Sequence, residues 1–340
     1  APNRLDTFLD PGQTGTYLAL GLLFFTASNF IRSKKEVSLL FYTLIASISL
    51  LAVITLVHFS GFQPAWWPAV FPATAISVLS VFIPVLVFLG VQLFKTKSIL
   101  LAVSLALILA ASGLLIYRSD RPIFLAPITS WAIALETLKI SPLVGVGPGS
   151  YPAAFTQYRP IAFNLTPQWD LRFTTAGNYY LHLLTTLGAV GLAAYLFLVL
   201  RVYTTLAKTK TIASPALAAI LAVFISQLFL PAYLISTAVL FFLLILAVAA
   251  LKTGGSSVVH ESNIDIVATN SSTAILPILT LVIITSLAIP SAYFAARAYA
   301  AEVKFQKALQ FAAANDGKNT YDTLISAIAT NPYRDTYRIA

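Results

Sequence analysis

Tyr158, Arg159, Asp170, Arg172, Asn178, Tyr179 and His182 all fall between Trp131 and Leu192, a Pro- and Arg-bearing stretch set between two membrane-length apolar runs. These residue types bound the chemistry. Cys is absent and the three His are scattered, so neither a thiolate nor a zinc site can be assembled, and catalysis must run on Arg, carboxylates, His and Tyr. His182 stands four residues after Asn178, so on a helix the two share a face. Asn178 can orient a hydroxyl or cap that helix after Gly177, and these roles are compatible. His182 is read either as a functional group, as ionisable residues in spans commonly are, or as an interfacial His bonded to a carbonyl.

The elements that position these residues follow from composition. With 58% hydrophobic and 10% charged residues and a mean hydropathy of +0.85, the chain reads as an all-α polytopic membrane bundle. About eight runs are long enough to cross 30 Å of hydrocarbon, at roughly 15–31, 38–59, 73–94, 98–117, 178–200, 214–231, 233–251 and 274–294. Arg32, Lys34 and Lys35, then Lys95 and Lys97, then Arg201, Lys208 and Lys210, then Lys252 occupy alternate connections. That alternation predicts a multi-pass protein of the cytoplasmic membrane, with the long loop and both ends of the chain on the outer face. It also accounts for much of the net charge of +9, so a nucleic-acid partner is not expected. Trp66 and Trp67 read as an interfacial belt, and Pro84 and Pro231 as helix kinks or breaks. The expected organisation is four spans over 1–117, an outer loop over 118–177, four more spans over 178–294 with an inner linker at 252–273, and an exterior helical hairpin over 295–340. Met is absent and the chain opens on Ala1, as expected of a piece cut from a longer polypeptide.

In the hairpin, Ala308, Phe311, Leu324, Ala327 and Pro332 stand at the spacings of a tetratricopeptide repeat, with Asn315-Asp316-Gly317 as its turn; an ordinary amphipathic hairpin is the alternative. A repeat would need further copies and would dock a protein partner. In the loop, Trp131, Ala134, Leu135 and Leu138 give a short helix one apolar face, expected to lie along the membrane surface, while Glu136 and Lys139 point elsewhere. Gly145, Gly147 and Gly149 follow, at alternate positions that permit a tight turn and close approach. With neither a preceding strand nor a P-loop Lys, the expectation is a helix-ending turn packed on the next span, not a phosphate cradle.

These residues resemble the O-antigen ligase and polymerase superfamily of bacterial envelope glycosyltransferases. The resemblance rests on Trp131, Ala134-Leu135, Pro142-Leu143-Val144-Gly145-Val146-Gly147-Pro148-Gly149-Ser150-Tyr151, Asn178-Tyr179-Tyr180-Leu181 and Gly188-Ala189-Val190-Gly191. The family has about twelve spans, which would place the others before Ala1. Three positions depart from its pattern: Pro127 lies where many members have an Arg ahead of the Trp, Gly177 replaces the His before Asn, and Thr186 replaces a frequent Glu. The Arg and His are the residues usually credited with function, so the departures bear on mechanism more than on fold.

The resemblance implies transfer of a glycan from a polyprenyl diphosphate carrier to a lipid, protein or glycan acceptor, with no metal and no nucleotide. The leaving diphosphate then needs cations, and an Arg fork binds phosphate oxygens bidentately. Arg159 and Arg172 are the first candidates and Arg121 the third, with Tyr158, Asn178 and Tyr179 as substrate contacts. Asp170 and His182 are the titratable groups near the Arg pair that could take the acceptor's proton. Polymerase, transporter or flippase, and non-catalytic anchor are the alternatives.

Overall fold

The computed structural model describes residues 14–60, 75–118, 124–207, 213–231, 233–254, 275–332 and 337. Arg121, Trp66, Trp67 and most of the inner linker lie outside the described residues. The chain divides into two units: Thr7–His260, and Glu261–Ala340 together with Ala1–Asp6.

The larger unit is built from helices α1 (Thr14–Phe30), α2 (Lys34–Phe59), α3 (Ala75–Thr96), α4 (Ile99–Arg118), α5 (Pro127–Ile140), α6 (Tyr151–Tyr158), α7 (Tyr179–Ala207), α8 (Ala213–Ser226) and α9 (Leu234–Thr253), with a 3-10 turn at Ile161–Leu165. Among the described residues five stretches are long and apolar enough to cross a membrane: Lys34–Phe59, Ser77–Thr96, Ile99–Tyr117, Tyr179–Thr205 and Leu234–Thr253. Helices also stand where the first and sixth spans were expected, but α1 has 17 residues and α8 has 14. Leu22, Phe25, Leu39, Leu50 and Leu100 face outward, which is the surface a hydrocarbon solvent requires.

Packing follows side-chain size. The α3 residues Val81, Phe82, Val85 and Leu89 are buried, and α8 presents Ala216, Ala219 and Val223 to the same core, small residues that let the backbones approach. α9 is the central helix, with 67% of its span buried against 28% for α2 and α4. α3 continues through Pro84, which therefore does not break it. α2 starts abruptly because Ser33 caps it: Glu36 N donates to Ser33 Oγ (3.3 Å), and Ser33 N donates back to Glu36 Oε2 (3.1 Å).

α7 is not the straight span the sequence predicts. Gly188 has φ 66° and ψ −163°, and the rings of Tyr179 and Tyr195 lie 5.2 Å apart. A straight helix would separate those residues by about 24 Å. The chain therefore folds back at Gly188 into a short arm, Tyr179 to Leu187, and a longer arm to Ala207 of about 28 Å, enough to span hydrocarbon by itself. The short arm begins against the end of α8: Tyr179 N donates to the carbonyls of Gln227 and Leu230, each at 3.1 Å. α8 accordingly stops at Ser226, five residues short of the expected edge at 231.

In the smaller unit the last apolar run and the following helix form one element, α10 (Ile275–Ala313), without the expected break near 294. The chain turns at Asn315 (φ 57°), and Asp316 caps α11 (Gly317–Thr330) by accepting from Asn319 N (3.2 Å). Ala301 and Phe305 bury against Ala327, Leu324 and Ile328, and Ala308 is buried on the same helix. Arg297 Nε donates to Thr330 O (3.1 Å) and Lys304 Nζ to Thr330 Oγ1 (2.8 Å), so two cations serve the carbonyl end of α11.

Candidate functional site

Residues 124–178 fold around an aromatic core of their own. Leu125, Ile133, Tyr151, Phe155 and Phe163 are buried, with Tyr158 and Phe173 packed on them. Phe155, Phe163 and Phe173 meet edge to face, with centroids 5.4 to 6.3 Å apart. α5 buries Ser130, Ile133, Ala134 and Thr137, a stripe at three- and four-residue steps. Its two hydroxyls return to their own helix, Ser130 Oγ to Ala126 O (3.2 Å) and Thr137 Oγ1 to Ile133 O (2.9 Å), so this face is narrow. Of the apolar face read from the sequence, only Ala134 belongs to the buried stripe. Trp131 and Leu135 point outward, 49% and 42% exposed.

The glycine loop and the break in α7 repair each other. Gly145, Gly147 and Gly149 have φ of 64°, 98° and 75°. Val146 N and Gly147 N donate to the carbonyls of Thr185 and Thr186 (3.0 and 2.9 Å), which the break removes from the helical ladder. In return Ala189 N and Val190 N donate to the carbonyls of Pro142 and Leu143 (2.9 and 3.1 Å). Broken helices survive in apolar surroundings when freed backbone groups find such partners. A Cβ on Gly145 would strike the backbone of Thr185, Thr186 and Gly188, and one on Gly188 that of Leu143 and Gly145. The turn packed on the next helix is thus present, and tighter than a simple helix end.

Around this lock the site residues fall at different depths. Arg159 is half-buried, its guanidinium carbon 5.7 Å from the ring centroids of both Phe155 and Phe163, and Nη1 donates to Trp169 O (3.0 Å). Asp170 and Arg172 are exposed on the following loop, next to Phe173 in sequence. Tyr158 packs on the aromatic core. His182 faces inward, its ring 5.3 Å from that of Tyr151, and His182 Nδ1 and the Tyr151 hydroxyl are both buried without a hydrogen-bond partner. Burial pushes the Tyr151 phenol up from its ordinary value; Ser130, close by, opposes this only in part. Ser130 Oγ is already engaged, donating to Ala126 O and accepting from Gly177 N (2.9 Å).

Asn178 Oδ1 accepts from Leu181 N (2.8 Å), so the capping role is the one seen. Tyr179 is buried in a cluster that spacing did not indicate. Its hydroxyl lies 3.1 Å from that of Tyr17, Tyr180 donates to Phe224 O (3.2 Å), and Tyr195 donates to Gln227 Oε1. Tyr151, Ser130, Tyr17, Tyr195 and Gln227 are the polar groups sequence reasoning missed. Only the place of Tyr151 at the end of the glycine motif offered a signal.

Gly177 explains one departure physically. A Cβ there would collide with the Leu125 carbonyl and approach Ser130 Oγ at 3.2 Å. Gly177→His is therefore expected to cost about 1–3 kcal/mol as overpacking, and thermal unfolding of the purified variant should show the loss. A variant as stable as the parent would mean that the α5–α7 junction relaxes freely.

Comparison of the chain with protein-family models, with curated proteins and with solved structures finds no match.

Proposed function

We propose that this chain is an O-antigen ligase-like glycosyltransferase, moving a glycan from a polyprenyl diphosphate carrier to an acceptor hydroxyl at the outer face of the cytoplasmic membrane. One observation carries the reading: the residues that resemble the family, Pro142 to Tyr151 and Gly188 to Gly191, are the ones that interlock, and they anchor a folded cap bearing Arg159 and Arg172. The acceptor oxygen attacks the anomeric carbon, the bond to the diphosphate oxygen breaks, and the carrier leaves with the electron pair. Arg159 and Arg172 receive the leaving charge, and Asp170 or His182 takes the acceptor's proton. Arg121, Tyr158, Asn178 and Tyr179 complete the proposed contacts.

In this reading α1, α8 and the start of α10 are further spans, making about eight, and the alternating cations hold the cap outside. α10 and α11 begin a tetratricopeptide array for a protein partner; Ala308 on α10 and Ala327 on α11 are both buried, as small repeat positions should be. Among the described residues no Asp, Glu, Lys or Arg is buried in the bundle, which favours chemistry in the cap over a midplane transport path. A polymerase would differ only in its acceptor.

A second reading, a non-catalytic anchor, draws support from the lack of room for a side chain at Gly177. Expressing the full-length gene with Arg172→Ala in its host separates the two. Accumulated lipid-linked glycan supports transfer, whereas unchanged glycosylation removes Arg172 from the mechanism.

A further inference from the structure

At the end of the larger unit remote from Tyr179, the start of α2, the end of α3, the start of α8 and the end of α9 enclose a cavity of about 220 Å³. Its floor is apolar, made by Phe41, Phe88, Ala216, Leu246 and Ala250. Its rim is polar and cationic, with Lys34, Ser38 and Gln92. The nearest carboxylate in sequence, Glu36, is committed elsewhere: Oε2 accepts from Arg32 N (2.8 Å) and Ser33 N (3.1 Å) in the cap of α2. Lys34 has no ion-pair partner among the described residues, so its charge stands unneutralised at the mouth. Lys34 is also the first residue of α2, where the helix dipole favours an anion.

We infer that this cavity binds one anionic glycerophospholipid, its acyl chain on the apolar floor and its phosphate at Lys34. The charge at the rim and the apolar walls together choose this occupant. A bare phosphate has no use for the floor, and a zwitterionic lipid brings a choline that Lys34 repels. Arg32 and Lys35 flank the same mouth in sequence and reinforce the preference. The inference requires only a membrane-embedded bundle and stands apart from the transferase reading.

The test uses the full chain, purified and delipidated in neutral detergent, with phosphatidylglycerol, phosphatidylcholine of the same acyl chains, and glycerol phosphate as probes. Native mass spectrometry and thermal unfolding are the readouts. Phosphatidylglycerol is expected to bind as a single retained molecule and raise Tm, with phosphatidylcholine at least about fivefold weaker. Lys34→Gln, an exposed substitution, should weaken phosphatidylglycerol about fivefold and leave phosphatidylcholine unchanged. Ala250→Leu, which fills the floor, should weaken both lipids. Equal binding of the two lipids, an unaffected Lys34→Gln variant, or a full Tm shift from glycerol phosphate alone would each overturn the proposal.

Discussion

Gly188→Ala is expected to abolish folded protein, and Gly145→Ala to do the same. Gly188 holds φ 66°, and a Cβ there would come within 2.5 Å of the carbonyl carbon and oxygen of Leu143 and 2.6 Å of Gly145 N. Every offending atom is backbone, so no rotamer change relieves the contact. The left-handed conformation costs about 1–3 kcal/mol for a non-glycine residue. If the two segments separate instead, four backbone bonds are lost, and each group left unpaired away from water costs about 1–3 kcal/mol. Separation alone thus costs about 4 kcal/mol or more, close to the whole stability of a marginal domain, and keeping the contact adds the backbone collision to the strain. Size-exclusion of detergent extracts should show the monodisperse peak disappear for both variants. Gly113→Ala supplies the control: Gly113 lies within α4 with nothing inside 4 Å of the place a Cβ would take, and removing a helical glycine should stabilise by about 0.5–1 kcal/mol. A Gly188→Ala protein that extracts and migrates like its parent would mean that α7 is not broken there.

That lock also marks the border of what was legible. Apolar run length places the helices well, because backbone in hydrocarbon must satisfy itself locally, and local satisfaction leaves a local pattern. The three alternate glycines announced a close approach to the next span, but neither the break in that span nor the groups that meet there. Their partners are carbonyls and amides some forty residues onward, at Thr185 to Val190, and backbone groups carry no residue identity. The same blindness misplaces the end of α8, whose Gln227 and Leu230 carbonyls receive the amide of Tyr179. On α5 the apolar face with Trp131 and Leu135, read as lying along a membrane, does point outward; the face that packs on the protein is a narrow Ser- and Thr-bearing one, which leaves no apolar pattern to read. The candidate site was legible as a set of residue types in one loop; its depth ordering, with His182 inside and Arg172 outside, depends on the aromatic core and was not.

Arg172→Ala is expected to lower glycan transfer about 100- to 1000-fold while leaving thermal stability unchanged. Arg172 is exposed, so its removal should disturb little else, and a lost cation at a leaving diphosphate acts only as charge develops. Arg159 should behave differently because it has two tasks. Its guanidinium rests against Phe155 and Phe163 and donates to Trp169 O, contacts that orient the fork before any donor arrives. Arg159→Ala removes charge and staple together, at about 1–2 kcal/mol of stability, and so confounds the two. Arg159→Lys keeps the charge but loses planar stacking and bidentate geometry. Transfer should therefore fall in Arg159→Lys by much more than the unfolding midpoint does, measured as label moved from a lipid-linked glycan donor in proteoliposomes. If Arg159→Lys retains parental transfer, and Arg172→Ala does too, the cap's cations serve its fold and the membrane surface, and the anchor reading replaces the transferase.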